Sequence, residues 1–512
     1  MRFALLSALA VPAAVVASQV HQARQDPPSS SPAASSPVPL PSSGSVSASA
    51  PSVSGTVPVS GSSVAAPITT LPSVSFSLQA TNPTAIPLSE ITAGTLTTSP
   101  TLPLSTVFAP GATPTFLTNP PPLPDLSKLV VSNYPPLDKP PPTDSPEVQQ
   151  WIQEVANTGV QIPDISPTVL GGCPANLDAV SDPNRCWWTC GGCTRDTDIV
   201  TCPDKLTWGL THDDGPAPYT SNLLQYLDSA NLKTTFFVVG SRVISYPALL
   251  QEEFMAQHQI AVHTWSHPQM TTLSNEEAIA ELGWTKKVIK DVLGVTPQYW
   301  RPPYGDIDDR IRAISKAMDL TPIMWTRISP TATFDTDDFN VAGGLSSASQ
   351  VLSNWQNILG NATMLDTGFI VLEHDLFAQS VDLATGYILP DALAFEPKLK
   401  IEPVISCLNK PMSDAYIETN DNKTNPPVVS ANLFRSRQDS PARQKPLVGR
   451  ATTGTTLARL LSSTVLLTCS LLPAVLSLQS LLVSVCSSRL TLEEKPELGF
   501  FCYYCYSYYL MT

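Results

Sequence analysis

The 512-residue chain is poor in charge. Only 14% of it is Asp, Glu, Lys or Arg, and 43 acids against 29 bases leave a formal charge of -14. That balance excludes a nucleic-acid binder, which needs a basic face for phosphates. Between Pro27 and Pro124 there is one charged residue, Glu90. Pro, Ser, Thr, Ala and Val fill the stretch with no amphipathic period. Such a segment cannot bury enough apolar surface to offset its own ordering entropy. In a secreted chain this composition suggests an O-glycosylated stalk or wall-spanning spacer. The run PPLDKPPPTDSP extends it as polyproline-like backbone, so residues 19–145 are expected to form a disordered stalk. Histidine is scarcer still, with six in the chain.

The ends read as processing signals. Arg2, the apolar run FALLSALAVPAAVVA and the small residues VAS make residues 1–18 a secretory signal peptide. At the other end, a polar linker (411–456) leads into the apolar stretch Leu457–Val485, broken by Pro473 and Gln479. Residues 457–512 thus resemble the tail of a GPI-anchor signal, although a true signal ends in its apolar segment and this chain continues. Three readings stand: an anchor signal with a mis-assigned 3' end (the preferred one), a transmembrane helix, or an anchor lost to a frame change. Asn361 and Asn422 each open a glycosylation sequon.

Cys173, Cys186, Cys190, Cys193, Cys202 and Cys407 lie in or beside the globular part. In a secreted chain they suggest three disulfides, with fifteen pairings open. Cys202 and Cys407 flank the domain and are expected to pair, stapling its ends. The run CWWTCGGC falls in a cysteine-rich lead-in (146–201). It reads as disulfide-bonded in preference to zinc-binding, and Trp187–Trp188 reads as core packing.

Across 202–410 the texture changes. The apolar runs KLTWGLTHD, KTTFFVVG, QIAVHTW, PQYWRPP, TPIMWTR and GFIVLEHD predict strands. Amphipathic runs between them predict helices, among them Asn275–Gly294 with a Ser274/Glu277 capping box. The alternation predicts an α/β domain with parallel strands, as an open sheet or a barrel. In such folds chemistry gathers at the carboxyl ends of strands. The polar clusters THDDGP, HTWSH, RPPYGD and LEHD all end predicted strands, and they hold four of the six histidines.

Two imidazoles and a carboxylate are a common ligand set for catalytic zinc. His263 and His267 are four residues apart, and Asp213 or Asp214 can supply the oxygen. The other carboxylate can then take a proton from an attacking water. His374 can return a proton to a leaving group if a carboxylate keeps it charged.

In order along the chain, THDDGP, HTWSH, RPPY, DTDDF and LEH resemble the five motifs of the polysaccharide deacetylases, carbohydrate esterase family 4, and most of all its fungal chitin deacetylases. The resemblance covers about residues 200–405. It implies a distorted parallel (β/α) barrel and a divalent metal, zinc or else cobalt, held by Asp214, His263 and His267. It implies that Asp213 is the general base, oriented by Arg301, and that His374 is the general acid, held charged by Asp338 with Asp335 as competitor. The Tyr304 backbone N–H would stabilise the oxyanion, and Leu372 would line the pocket for the acetyl methyl. Phe339 stands where the fourth motif usually has Trp, keeping the apolar wall without the indole N–H. His212 stands where an aromatic or aliphatic residue is usual, and strand alternation points it away from Asp213. The implied activity is hydrolysis of the N-acetyl groups of chitin by a monomer at the cell wall or the outer face of the plasma membrane. The alternatives are a non-catalytic chitin-binding glycoprotein or a deacetylase of xylan or peptidoglycan.

Overall fold

The computed structural model describes residues 76–94 and 101–423. The expected signal peptide, the first part of the stalk, the linker beyond residue 423 and the apolar tail lie outside the described residues. Among the described residues no helix is long and apolar enough to cross a membrane.

The predicted strand KLTWGLTHD divides at Leu210 into β1 (Thr207–Gly209) and β2 (Thr211–Asp213). The division follows from a change of partners: Leu210 N–H donates to Glu402 O, while its own C=O accepts from Thr235 N–H. β2 opens a five-stranded parallel sheet with β3 (Thr235–Val238), β4 (Gln259–Val262), β5 (Tyr299–Trp300) and β6 (Thr321–Pro322). A short antiparallel hairpin, β7 (Arg327–Ser329) and β8 (Ala332–Thr333), follows β6. β1 lies between β9 (Phe369–Ile370) and β10 (Lys400–Glu402), again parallel. Beyond β6, Thr326 N–H donates to Ile370 O. Just after β9, His374 bridges Asp213 of β2. These links close the strands into an irregular parallel barrel.

Helices cover the barrel. They include α1 (Pro146–Asn157), α2 (Thr220–Ser229), α3 (Gly240–Ser245), α4 (Pro247–Met255), α5 (Asn275–Leu293), α6 (Asp309–Ala317), α7 (Phe339–Ala342), α8 (Ala348–Met364) and α9 (Ala378–Leu383). α5 starts at the expected capping box and stops at Gly294, which takes the left-handed conformation that glycine adopts without strain. Strands β2 to β5 are buried along their whole length, as parallel strands covered by helices are. Trp208, Trp300, Trp355, Phe236 and Phe369 are among the largest fully buried side chains.

Two expected boundaries need correction. The stalk does not run unbroken to residue 145: residues 76–94 and 101–145 form a belt laid on the catalytic domain. The belt has almost no regular structure, yet Ile91, Leu117 and Leu123 are buried in the common core. Its polar groups bond to the domain. Asn82 N–H donates to Gly386 O at 2.8 Å, Ser105 N–H to Glu252 Oε1 at 2.8 Å, and Gln379 Nε2 donates to Thr92 O and Gly94 O. The entropy argument fails here because the belt needs no core of its own; its scattered apolar side chains fill an existing surface. The domain also continues past residue 410. Pro297 bridges Tyr416, whose buried hydroxyl accepts from Ile260 N–H at 3.0 Å.

All six cysteines of the globular part are bonded, as Cys173–Cys190, Cys186–Cys193 and Cys202–Cys407. Trp187 and Trp188 are buried, and the Trp187 indole N–H donates to Asp306 Oδ1 at 2.7 Å.

Candidate active site

The four polar clusters meet at the carboxyl ends of β2, β4, β5 and the 369–375 strip. β2 delivers Asp213 in extended backbone, and Asp214 then turns left-handed at φ 79°. That turn separates the two carboxylates. Thr264, His267, Tyr304 and Asp337 also have positive φ, between 58° and 65°. Strained backbone of this kind gathers where side chains must be aimed at one point.

Asp214, His263 and His267 are the one set of side chains among the described residues whose ligand atoms could hold a metal; those atoms lie within 4.8 Å of one another. His263 Nε2 is 3.4 Å and His267 Nε2 3.1 Å from Asp214 Oδ1. Ligand atoms bonded to one tetrahedral zinc stand roughly 3.4 Å apart. Asp214 Oδ1 is buried and accepts no hydrogen bond, as expected of an atom reserved for a cation. His263 Nδ1 is 2.8 Å from Arg301 O. A carbonyl can only accept, so Nδ1 carries the proton and Nε2 keeps its lone pair for a metal.

Asp213 lies beside this set, its Oδ2 3.8 Å from His263 Nε2. Its other oxygen accepts from Arg301 Nη1 at 2.8 Å. Arg301 is fully buried and fixed in one orientation. It also donates to Thr211 Oγ1, Ile323 O and Met324 O, and its guanidinium stacks 4.2 Å from the Phe237 ring centroid. On the far side, His374 is held at two points by Asp338: its N–H donates to Oδ2 at 2.9 Å and its Nδ1 to Oδ1 at 2.7 Å. Burial opposes a charge on His374, but the charge and hydrogen bond of Asp338, with Asp214 and Asp213 beyond, raise the imidazole to about 10.

Asp338, rather than its competitor Asp335, therefore touches His374. Asp335 instead accepts from Asp337 N–H at 2.8 Å, and burial pushes its carboxyl up to about 7. Phe339 packs its ring 5.0 Å from His374, Leu372 is buried in the adjoining strip, and Tyr304 sets its ring edge-on to His267 at 4.7 Å. His212 is buried on the other face of β2, with Nδ1 3.0 Å from Thr234 Oγ1. Burial pushes its pKa down to about 3, so it stays neutral.

Residues 201–323 match the sequence model of the polysaccharide deacetylase family. A chitin deacetylase 1 from Cryptococcus neoformans var. grubii is 48% identical over 369 residues, 71% of this chain and 76% of the relative. The chain belongs to the polysaccharide deacetylase family. A chitin deacetylase 2 from the same organism is 36% identical over 297 residues, 54% of this chain and 61% of the relative. Among solved structures, the chitin deacetylase of Colletotrichum lindemuthianum matches 44% of this chain and 97% of its own, at 23% identity and a TM-score of 0.36.

Three further residues support the deacetylase site: Asp306 and Asp375 close the clusters RPPYGD and LEHD, and Glu281 carries no clear mark in the sequence. Glu281 of α5 is buried and accepts from Trp265 N–H, Ser266 N–H and Ser266 Oγ. Asp375 accepts from Gly215 N–H and Thr220 Oγ1, fixing the turn after Asp214. Asp306 ties the Arg301–Tyr304 loop to Thr271 and to Trp187. The available signal for Glu281 was a carboxylate on the core face of an amphipathic helix, where charge is rare unless it is paired.

Proposed function

We propose that the protein is a zinc-dependent chitin deacetylase, which hydrolyses the N-acetyl groups of N-acetylglucosamine units to give glucosamine units and acetate. The observation that carries this reading is one cleft holding a three-residue metal set, an Arg-paired carboxylate beside it and a charged histidine opposite. The chitin deacetylases among the relatives favour chitin over xylan or peptidoglycan as the substrate.

In this reading Asp214, His263 and His267 hold the ion. A bound zinc would polarise the acetamide carbonyl and make a neighbouring water more acidic. Asp213 takes the proton of the attacking water, with Arg301 holding the carboxylate in place through a charge-assisted hydrogen bond. The backbone N–H of Tyr304 donates to the oxygen that gains negative charge. His374 then gives its proton to the departing amine, and Asp338 stabilises the charged imidazole until that moment. Leu372 and Phe339 form the apolar wall for the acetyl methyl.

The three disulfides suit an oxidising compartment, and we read the protein as a secreted cell-wall monomer glycosylated at Asn361 and Asn422. Its attachment by a lipid anchor rests on the tail composition alone.

The test is acetate release by the full-length protein from a series of N-acetylglucosamine oligomers. Activity should vanish with a chelator and return with zinc or cobalt. Release that survives complete metal removal would refute the metal reading. Binding without release, even with added metal, would favour a non-catalytic glycan-binding protein.

A further inference from the structure

The segment between the two candidate histidine ligands is held by the rest of the domain through a run of backbone hydrogen bonds. Thr264 O and Trp265 O accept from Gly240 N–H at 2.9 Å and Ser241 N–H at 3.1 Å, both at the start of α3. His267 N–H donates to Thr264 Oγ1 at 3.1 Å. The amides of Trp265 and Ser266 donate to a single carboxylate oxygen, Glu281 Oε2, at 2.7 Å and 2.9 Å. The other oxygen, Oε1, accepts from Ser266 Oγ at 2.6 Å. Trp265 anchors the loop from above: its indole N–H donates to Pro136 O of the belt, and its ring stacks on Tyr134. Gly240 cannot carry a side chain, because a Cβ there would stand 2.6 Å from the Trp265 ring.

Two residues here, Thr264 and His267, sit at positive φ, a strained conformation that persists only under outside constraint. Glu281 supplies that constraint on the amide side. It comes from α5, a helix of 19 residues capped at both ends and largely buried, so its Cα position is well defined.

We infer that Glu281 is a positioning residue that shapes the 264–266 loop so that His263 and His267 meet one metal ion. It touches neither substrate nor metal. The inference rests on the metal reading of this site proposed above and adds a residue outside the five motifs to it.

The test is zinc affinity of the full-length protein, measured by competition with a chromophoric chelator. It is run at about pH 8, above the value near 7 to which burial pushes Glu281. Glu281→Ala should weaken zinc binding about 10- to 100-fold. Glu281→Gln keeps an oxygen for both amides and should stay within about threefold of wild type. At saturating zinc the alanine variant should regain most of its kcat with KM unchanged, which a general loss of folding would not produce. Circular dichroism of the metal-free variants reports folding. If the alanine variant does not fold, Glu281→Asp decides, its carboxylate being one methylene short of the loop. Undiminished zinc affinity in the folded alanine variant, or in the aspartate variant when it decides, overturns the inference. A wild-type protein that takes up no zinc would instead overturn the metal reading itself.

Discussion

Replacing Asp338 with Asn tests the electrostatic core of the site. Asp338 accepts two hydrogen bonds from one residue, at 2.9 Å from His374 N and 2.7 Å from Nδ1. Both partners are donors, so Asn can satisfy one and must turn its amide N–H toward the other. The charge is lost as well. Two unit charges about 4 Å apart attract by about 4 kcal/mol at an effective dielectric of 20, which corresponds to about three pKa units. A cation bound at Asp214 would cancel much of the support that His374 draws from Asp214 and Asp213, leaving Asp338 as the main group that keeps it charged. His374, raised to about 10 in the metal-free site, should therefore titrate about three units lower in Asp338→Asn than in wild type. The assay is kcat/KM for acetate release as a function of pH. The alkaline limb should move down by about three units, with the largest loss of rate at pH values between the two limbs. Below about pH 6 the loss should be far smaller, confined to poorer orientation. Zinc content should not change. A limb that stays in place while the rate falls equally at all pH values would refute the reasoning and leave Asp338 only a steric role.

The remaining predictions follow from other contacts. His374 is raised from an ordinary 6.5 to about 10 on folding, so the stability it contributes is complete below about pH 6.5 and is lost as pH rises toward 10; the midpoint temperature of metal-free wild type should fall across that window, and that of Asp338→Asn should fall less. Asp213→Asn should cost about 10²- to 10⁴-fold in kcat while zinc stays bound, and a variant with full activity would remove Asp213 as the base. The Cys202–Cys407 bond joins residues 205 apart in sequence, so Cys202→Ser with Cys407→Ser should lose up to about 5 kcal/mol in denaturant unfolding. A Cβ at Gly215 would lie 2.2 Å from Asp375 Oδ2; Gly215→Ala should therefore cost about 1–3 kcal/mol and lower activity by shifting Asp214.

Most of the site is legible in the sequence because of how parallel strands work. Each strand is a short apolar run, so a cluster such as THDDGP or LEHD interrupts it visibly, and the fold brings all such interruptions to one end. The choice between Asp338 and Asp335 could not be read this way. Both lie in one irregular loop after β8, where Asp337 takes a left-handed turn and spacing no longer tells which carboxylate faces inward. Glu281 was hidden for a different reason: its work is done across 15 and 16 residues of sequence, on backbone amides that have no sequence signature of their own.

The belt is a case where composition answers a narrower question than it seems to. A Pro/Ser/Thr-rich segment with a handful of apolar residues cannot fold alone, but order needs only a surface on which those residues fit. Proline lowers the entropy lost when such a segment is laid down. The useful signal was the kind of apolar residue. Between Phe3 and Phe76 the sequence has no Phe, Tyr or Trp. From Phe76 onward large side chains recur without period, at Phe76, Ile91, Phe108, Phe116, Leu117, Leu123 and Tyr134, and every one packs on or into the domain core. An aromatic side chain can bury far more area than a Val or Ala side chain. Tyr134 and Pro136 then reach the loop between the histidines through Trp265. The belt thus touches the loop that joins the candidate metal ligands, from a stretch of sequence well before the first motif.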